Sequence, residues 1–119
     1  KQGLPEAQYN LANMYREGEG LFQDYKEAVK WYTKSADQGY ALAAFNLGAM
    51  YGNGEGVPQN YAEAAYWLSI AEIGGYTEAY QHRQKFEQDL PRIERQRIQS
   101  LVNERIAKAK DPSMKRDEE

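Results

Sequence analysis

Tyr15-Arg16-Glu17-Gly18-Glu19-Gly20 returns further along the chain as Tyr51-Gly52-Asn53-Gly54-Glu55-Gly56, an aromatic residue followed by a G-x-G turn in the same register. Gly18 and Gly54 stand 36 residues apart, as do Trp31 and Trp67, and Gly3, Gly39 and Gly75 follow at the same interval. Self-similarity at a period of roughly 20–50 residues marks a tandem array, in which each unit buries its apolar face against the next.

Pro5 suits the first turn of a helix, where a missing N–H costs no hydrogen bond, and Ala7, Leu11, Met14 and Tyr15 follow at helical spacing. The spacing predicts a helix from Pro5 to Glu17, stopped at Gly18, since glycine reaches positive φ without a steric penalty. Asp24 is the expected N-cap of a second helix that carries Tyr25, Ala28, Val29, Trp31, Tyr32 and Ser35 and ends at Gly39. The second copy repeats the plan. Ala43, Leu47, Met50 and Tyr51 occupy its first helix, Gly54 and Gly56 its turn, Asn60 its cap, and Tyr61, Ala64, Ala65, Trp67, Leu68 and Ala71 its second helix up to Gly74-Gly75. Ala12, Gly48, Ala28 and Ala64 are small where neighbouring helices must approach.

The third copy opens with Gly75-Tyr76 and Ala79, then places Gln81, His82, Arg83 and Gln84 where earlier copies carry an aromatic, Asn, Leu and a small residue. A terminal unit facing water is expected to look like this. After Leu90-Pro91, the stripe Ile93, Ile98, Leu101, Val102 and Ile106 predicts a capping helix from Arg92 to Lys110, ended by Asp111-Pro112. The organisation read from the sequence is therefore 1–38 and 39–74 as full units, 75–90 as a one-helix partial unit, 91–110 as the cap and 111–119 as a disordered charged tail. The predicted fold is all-α: a right-handed α-solenoid of antiparallel helix pairs.

With 119 residues the chain buries one core, and 41% hydrophobic content with a net charge of −3 argues against a uniform attraction to nucleic acid or anionic membrane. The residues before Arg83 hold 5 Lys/Arg against 10 Asp/Glu and those from Arg83 onward 10 against 8, too weak a contrast to predict a polyanion site. The absence of Cys removes disulfides, Cys-based zinc sites and thiol chemistry. No run approaches the roughly 20 apolar residues of a membrane span, and no signal-peptide pattern is visible.

The pattern resembles the Sel-1-like repeat, a relative of the tetratricopeptide repeat whose form is roughly A-x-A-x-x-x-L-G-x-x-Y-x-x-G-x-G-V, a variable pair and D, then A-x-x-W-Y-x-x-A-A-x-x-G. Ala7, Leu11, Tyr15, Gly18, Gly20, Asp24, Ala28, Trp31, Tyr32, Ala36 and Gly39 occupy those positions once. Ala41, Ala43, Leu47, Gly48, Tyr51, Gly54, Gly56, Val57, Ala64, Trp67, Ala71 and Gly75 occupy them again. Departures include Pro5 for the first Ala, Ala12 for Gly, Leu21-Phe22 where copy two has Val57-Pro58, Asn60 for Asp and Glu72 for the second Ala. The resemblance implies a non-enzymatic protein-interaction scaffold without cofactor or metal. It points to a bacterial adaptor, in the periplasm or cell envelope before the cytoplasm.

Individual residues offer little catalytic chemistry. His82 is the one histidine and has no nucleophile motif beside it, so solvated surface is the expected setting. Glu19 and Glu55 recur one unit apart inside the turns, where solvent-facing turn residues are expected. The G-x-G turns follow helices and lack the Lys-Ser/Thr of a phosphate loop. On a helical wheel Tyr9, Asn13 and Arg16 lie opposite Ala7, Leu11 and Tyr15, and their second-copy equivalents are Phe45, Ala49 and Gly52. If the first helices line an inner curve, Tyr9, Asn13, Arg16, Phe45 and Ala49 are the candidate contacts for a peptide or protein partner, with Tyr9 and Phe45 exposed side by side. The competing reading packs both aromatics against the neighbouring unit. Asn10 and Asn46 stand beside them, as backbone clamps or as structural hydrogen-bonders. Two rival functions are a homodimer or inter-domain seam through Ile93, Ile98, Leu101, Val102 and Ile106, and a cell-wall-directed hydrolase or binding protein.

Overall fold

A computed structural model describes residues 4–110, which form six helices: α1 (Leu4–Glu17), α2 (Tyr25–Asp37), α3 (Ala41–Asn53), α4 (Tyr61–Ile73), α5 (Ala79–Glu87) and α6 (Arg92–Lys110). The charged tail predicted for 111–119 lies outside the described residues. Helix starts follow side-chain chemistry. The Asp24 carboxylate accepts from Glu27 N–H at 3.1 Å and the Asn60 amide oxygen from Glu63 N–H at 3.0 Å, each satisfying a donor that the first turn leaves without an intrahelical partner. Gly18 and Gly54, at φ 78° and 74°, end the first helix of each copy in the left-handed region.

The helices assemble as an all-α solenoid. α1 pairs with α2 and α3 with α4, α2 bridges to α3, and α5 continues the stack on α4. Within a pair, approach is set by small residues: a Cβ placed on Gly48 would sit 2.9 Å from Leu68 Cγ and 3.1 Å from the Ala64 carbonyl oxygen. One continuous core runs through both units, with Ala12, Ala28, Tyr32, Leu47, Met50, Trp67 and Leu68 at its centre.

The α1 face read as core from its spacing is not buried. Ala7 and Met14 are exposed, and Leu11 and Tyr15 only half-buried, while Ala12 faces α2. The reason is register: α3 presents the equivalent Ala43, Leu47 and Met50 to α2, whereas no described helix covers α1 on that side. Trp67 is buried and Trp31 half-buried, with Lys34 Nζ 4.5 Å from the centre of the Trp31 ring.

The last helix also departs from expectation. α6 does not close the end of α5 but folds back along the outer side of α4, where Ile98 and Val102 are buried against Ala65 and Ile106 packs beside them. Ile93, 72% exposed, and Leu101, 40% exposed, stay outside this contact, so the stripe is divided between a cap and the surface. The elbow at Asp89–Pro91 is held by Arg95, whose guanidinium donates to the carbonyls of Glu87 at 3.3 Å and Leu90 at 2.7 Å. The exposed residues of α5 are mostly polar, Gln81, His82, Gln84 and Lys85 beside Tyr80, whereas α4 offers Ala65 with Ala62, Tyr66 and Ile70 around it.

Candidate functional site

The candidate contacts lie on α1 and α3, the first helices of the two full units, and the structure places them at the seam between units. Tyr9 is half-buried, with its ring centre 5.9 Å from that of Tyr32 and 5.2 Å from that of Tyr40. Phe45, one period later, stands edge-on to Tyr76 at 4.8 Å and to His82 at 5.0 Å. The two are therefore not free aromatic anchors; each is stapled to the first turn of the next unit. Helical phase explains the difference. About 100° per residue turns Tyr9 and Phe45 some 60° away from Ala12 and Gly48, toward the following helix and not to the open side.

Beside Tyr9, polar groups complete the seam. The Tyr32 hydroxyl donates to Asn13 Oδ1 and accepts from Asn46 Nδ2 at 3.3 Å. Arg16 donates to Glu55 Oε1 at 3.1 Å, so Glu55 is a half-buried partner and not a solvent-facing turn residue, whereas Glu19 is exposed. Burial raises the pKa of Tyr32 above its ordinary value, against the opposing effects of the Arg16 charge and the Asn46 hydrogen bond. Asn46 thus has a structural role, while Asn10 is exposed. Ala49 is half-exposed and His82 exposed on the same side of the stack.

Sequence reasoning missed a compensated pair. Arg83 takes the place of Leu11 and Leu47, and Glu72 the place of Ala36; each looks like a lapse in the repeat. In the fold they meet, Arg83 Nη2 to Glu72 Oε1 at 2.8 Å, and Arg83 Nη1 also reaches Glu87 Oε2 at 3.1 Å. The signal was available, since both departures fall in positions that face each other across a unit boundary. Burial disfavours the Arg83 charge, but hydrogen bonds to Glu72 and Glu87 outweigh it and hold its pKa above the ordinary value.

An open groove of about 1650 Å³ lies between α6 and the second helices of the units. Arg105 spans it, donating to the Tyr66 hydroxyl at 3.0 Å and to Asp37 Oδ1 at 3.1 Å, with its guanidinium 5.2 Å from the Trp67 ring centre. No helix among the described residues is long and apolar enough to cross a membrane.

Comparison with known proteins agrees with this architecture. The Sel1 repeat family model matches residues 5–40 and 41–76. A crystal structure of a protective antigen present in uropathogenic Escherichia coli strains, displaying an SLR fold, superposes with a TM-score of 0.84 at 28% identity over 99% of this chain and 27% of that one. A Sel1 repeat protein from Oxalobacter formigenes superposes with a TM-score of 0.69 at 38% identity over 74% of this chain and 36% of that one. The chain thus spans about a quarter and about a third of the lengths of these two proteins. No curated protein matches it closely enough to serve as a relative. Proteins of this family generally act as non-catalytic scaffolds for protein interaction. Two consecutive matches to one model, on helix pairs that stack at the period read from the glycines, make the chain a member of the Sel1 repeat family.

Proposed function

We propose that the chain is a scaffold whose α1–α3–α5 side binds a segment of a partner protein, with Tyr9, Asn13, Arg16, Phe45 and Ala49 forming or supporting the contact surface. The observation that carries this reading is the pre-ordered aromatic and amide row at the seam: Tyr9 on Tyr40, Phe45 on Tyr76, and Asn46 held by Tyr32. Side chains already fixed by neighbours lose little entropy on binding, so half-exposed aromatic edges flanked by Asn10, Ala49 and His82 suit a partner backbone and its apolar side chains. Tyr9 and Phe45 serve both stability and contact, so truncating them confounds the two.

Asn10, exposed, and Ala49, half-exposed, are less entangled with stability, because neither side chain makes a hydrogen bond or ion pair among the described residues. Peptides selected from a random display library against the intact chain are expected to shift the amide resonances of α1 and α3. Ala49→Arg is expected to weaken the selected peptides at least tenfold, about 1.4 kcal/mol, measured well below its thermal midpoint so that the chain remains folded. Shifts confined to α2, α4 and α6, or equal affinity for Ala49→Arg, would place binding elsewhere.

A further inference from the structure

The outer faces of the two second helices are unlike. α2 carries Lys26, Val29, Lys30 and Lys34 where α4, one period later, carries Ala62, Ala65, Tyr66 and Ile70. The three lysines are exposed, whereas the α4 set packs with Ile98 and Val102 of α6. The tryptophans follow the same division. Lys34 and Lys30 of its own helix lie over Trp31, at 4.5 and 5.7 Å from the ring centre, while the cation over Trp67 is Arg105, 5.2 Å away and supplied by α6. Arg105 therefore replaces the lysines that Tyr66 and Ile70 displace, and it reaches further than a lysine on α4 could. With Nη1 on the Tyr66 hydroxyl at 3.0 Å, its Nη2 meets Asp37, the last residue of α2, at 3.1 Å.

That ion pair joins parts of the molecule that otherwise meet through α3. α2 packs on α1 and α3, and α4 on α3 and α5, so the outer rim of the first seam is left as the groove that Arg105 crosses. The connector adds no brace there, since a Cβ on Gly39 would meet nothing within 4 Å. Among the described residues no other side-chain hydrogen bond or ion pair links α6 to the first unit. We infer that α6 is a strap that restrains the bend between the two units, seated on α4 through Ile98 and Val102 and pinned to the first unit by Arg105 and Asp37. The pin acts at the rim of the seam, away from the α2–α3 contact about which the units rotate, so a weak bond works through a lever arm. The Trp67 ring and the Tyr66 hydroxyl hold the guanidinium in place, and little side-chain entropy is lost when Asp37 meets it. Both partners are part-exposed, 31% for Arg105 and 55% for Asp37, so the catch yields to salt.

The chain has no cysteine, so nitroxides on Glu6→Cys in α1 and Asn53→Cys in α3, both exposed positions, report the angle between units by double electron–electron resonance without background labelling. Asp37→Asn leaves Arg105 on Tyr66 and Trp67. It is expected to raise the share of distances outside the natural chain's main peak about two- to fivefold, the range that an exposed ion pair supports, with hydrogen exchange in α6 unchanged. Asp37→Glu is expected to restore the narrow distribution. Raising sodium chloride from about 0.01 M to about 1 M, which shortens the Debye length from about 30 Å to about 3 Å, is expected to broaden the natural chain by a similar factor and to leave Asp37→Asn unmoved. A distribution equally narrow with and without the Asp37 carboxylate, or one that salt broadens alike in both proteins, would overturn the inference. Faster exchange in α6 of Asp37→Asn would overturn it too, because the ion pair would then serve to seat the helix on α4 and not to restrain the units.

Discussion

The two seams of this solenoid share a backbone plan, an apolar core and an aromatic pair, and differ in where their polar contacts fall. Between the first and second units the polar contacts are Tyr32 linked to Asn13 and Asn46, and Arg16 paired with Glu55. Between the second unit and α5, the equivalents of Asn13, Tyr32 and Arg16 are Ala49, Leu68 and Gly52; Phe86 fills the space over Gly52, and its ring centre lies 5.2 Å from that of Tyr61. Charge reappears there at a different place, in Arg83 with Glu72 and Glu87. A seam position is therefore not polar or apolar in itself. What is kept is complementarity across the boundary, so departures from the repeat come in facing groups and a single residue moved between units arrives without its partner.

The largest expected effect follows from moving one half of such a pair. Leu47→Arg places at the first seam the residue that α5 carries at the second, but with Ala36 opposite it in place of Glu72, and both Leu47 and Ala36 are fully buried. An uncompensated buried charge costs about 3–5 kcal/mol, a large part of the stability of a small domain. Adding Ala36→Glu is expected to recover part of the loss, with a coupling of about 1–3 kcal/mol in a double-mutant cycle measured by urea unfolding. Strictly additive losses would show that Arg83 and Glu72 are independent departures.

A smaller effect sharpens the second seam. Gly52 lies inside α3 at a position where alanine ordinarily stabilises a helix by about 1 kcal/mol over glycine. Here the new Cβ would overlap the Phe86 ring, so Gly52→Ala is expected to destabilise by about 1–3 kcal/mol. In a Phe86→Ala background the sign is expected to reverse, with Gly52→Ala now raising the thermal midpoint. A stabilising Gly52→Ala in the otherwise natural chain would mean that Phe86 yields easily and that the seam is not tightly packed.

These contrasts also separate what the residues alone disclosed from what they did not. The period, the all-α class, the caps at Asp24 and Asn60 and the stops at Gly18 and Gly54 were legible because each depends on backbone chemistry within a few residues. The direction of Tyr9 and Phe45 was not, because a wheel drawn for one helix cannot tell a side that meets a neighbouring unit from a side that meets water. For the same reason Ala7 and Met14 read as core: their spacing is right, and only the arrangement of whole units shows that no described helix lies against them. α6 was legible as an amphipathic helix but not in its placement, which depends on the small residue Ala65 on α4 receiving Ile98 and Val102.

The finest test concerns the polar seam itself and reads it through pH. Tyr32→Phe keeps the ring and its contact with Tyr9 but leaves Asn13 and Asn46 without the hydroxyl between them, a loss of about 1–2 kcal/mol at neutral pH. The folded-state pKa of Tyr32 is raised by burial above the ordinary tyrosine value of about 10, so folding favours the neutral phenol. Its stabilising contribution is complete below the unfolded value and is lost as pH climbs through the folded value, because the unfolded chain releases the proton first. Unfolding midpoints measured from pH 8 upward are therefore expected to fall more steeply above about pH 10 in the natural chain than in Tyr32→Phe, so that the gap between the two narrows. Tyr40, Tyr51 and Tyr76 are raised as well and remain in both proteins, which leaves the narrowing specific to the hydroxyl shared by Asn13 and Asn46. A gap that stays constant across that range would mean the hydroxyl ionises as readily in the seam as in water, and the first seam would then be no more secluded from solvent than the surface of α5.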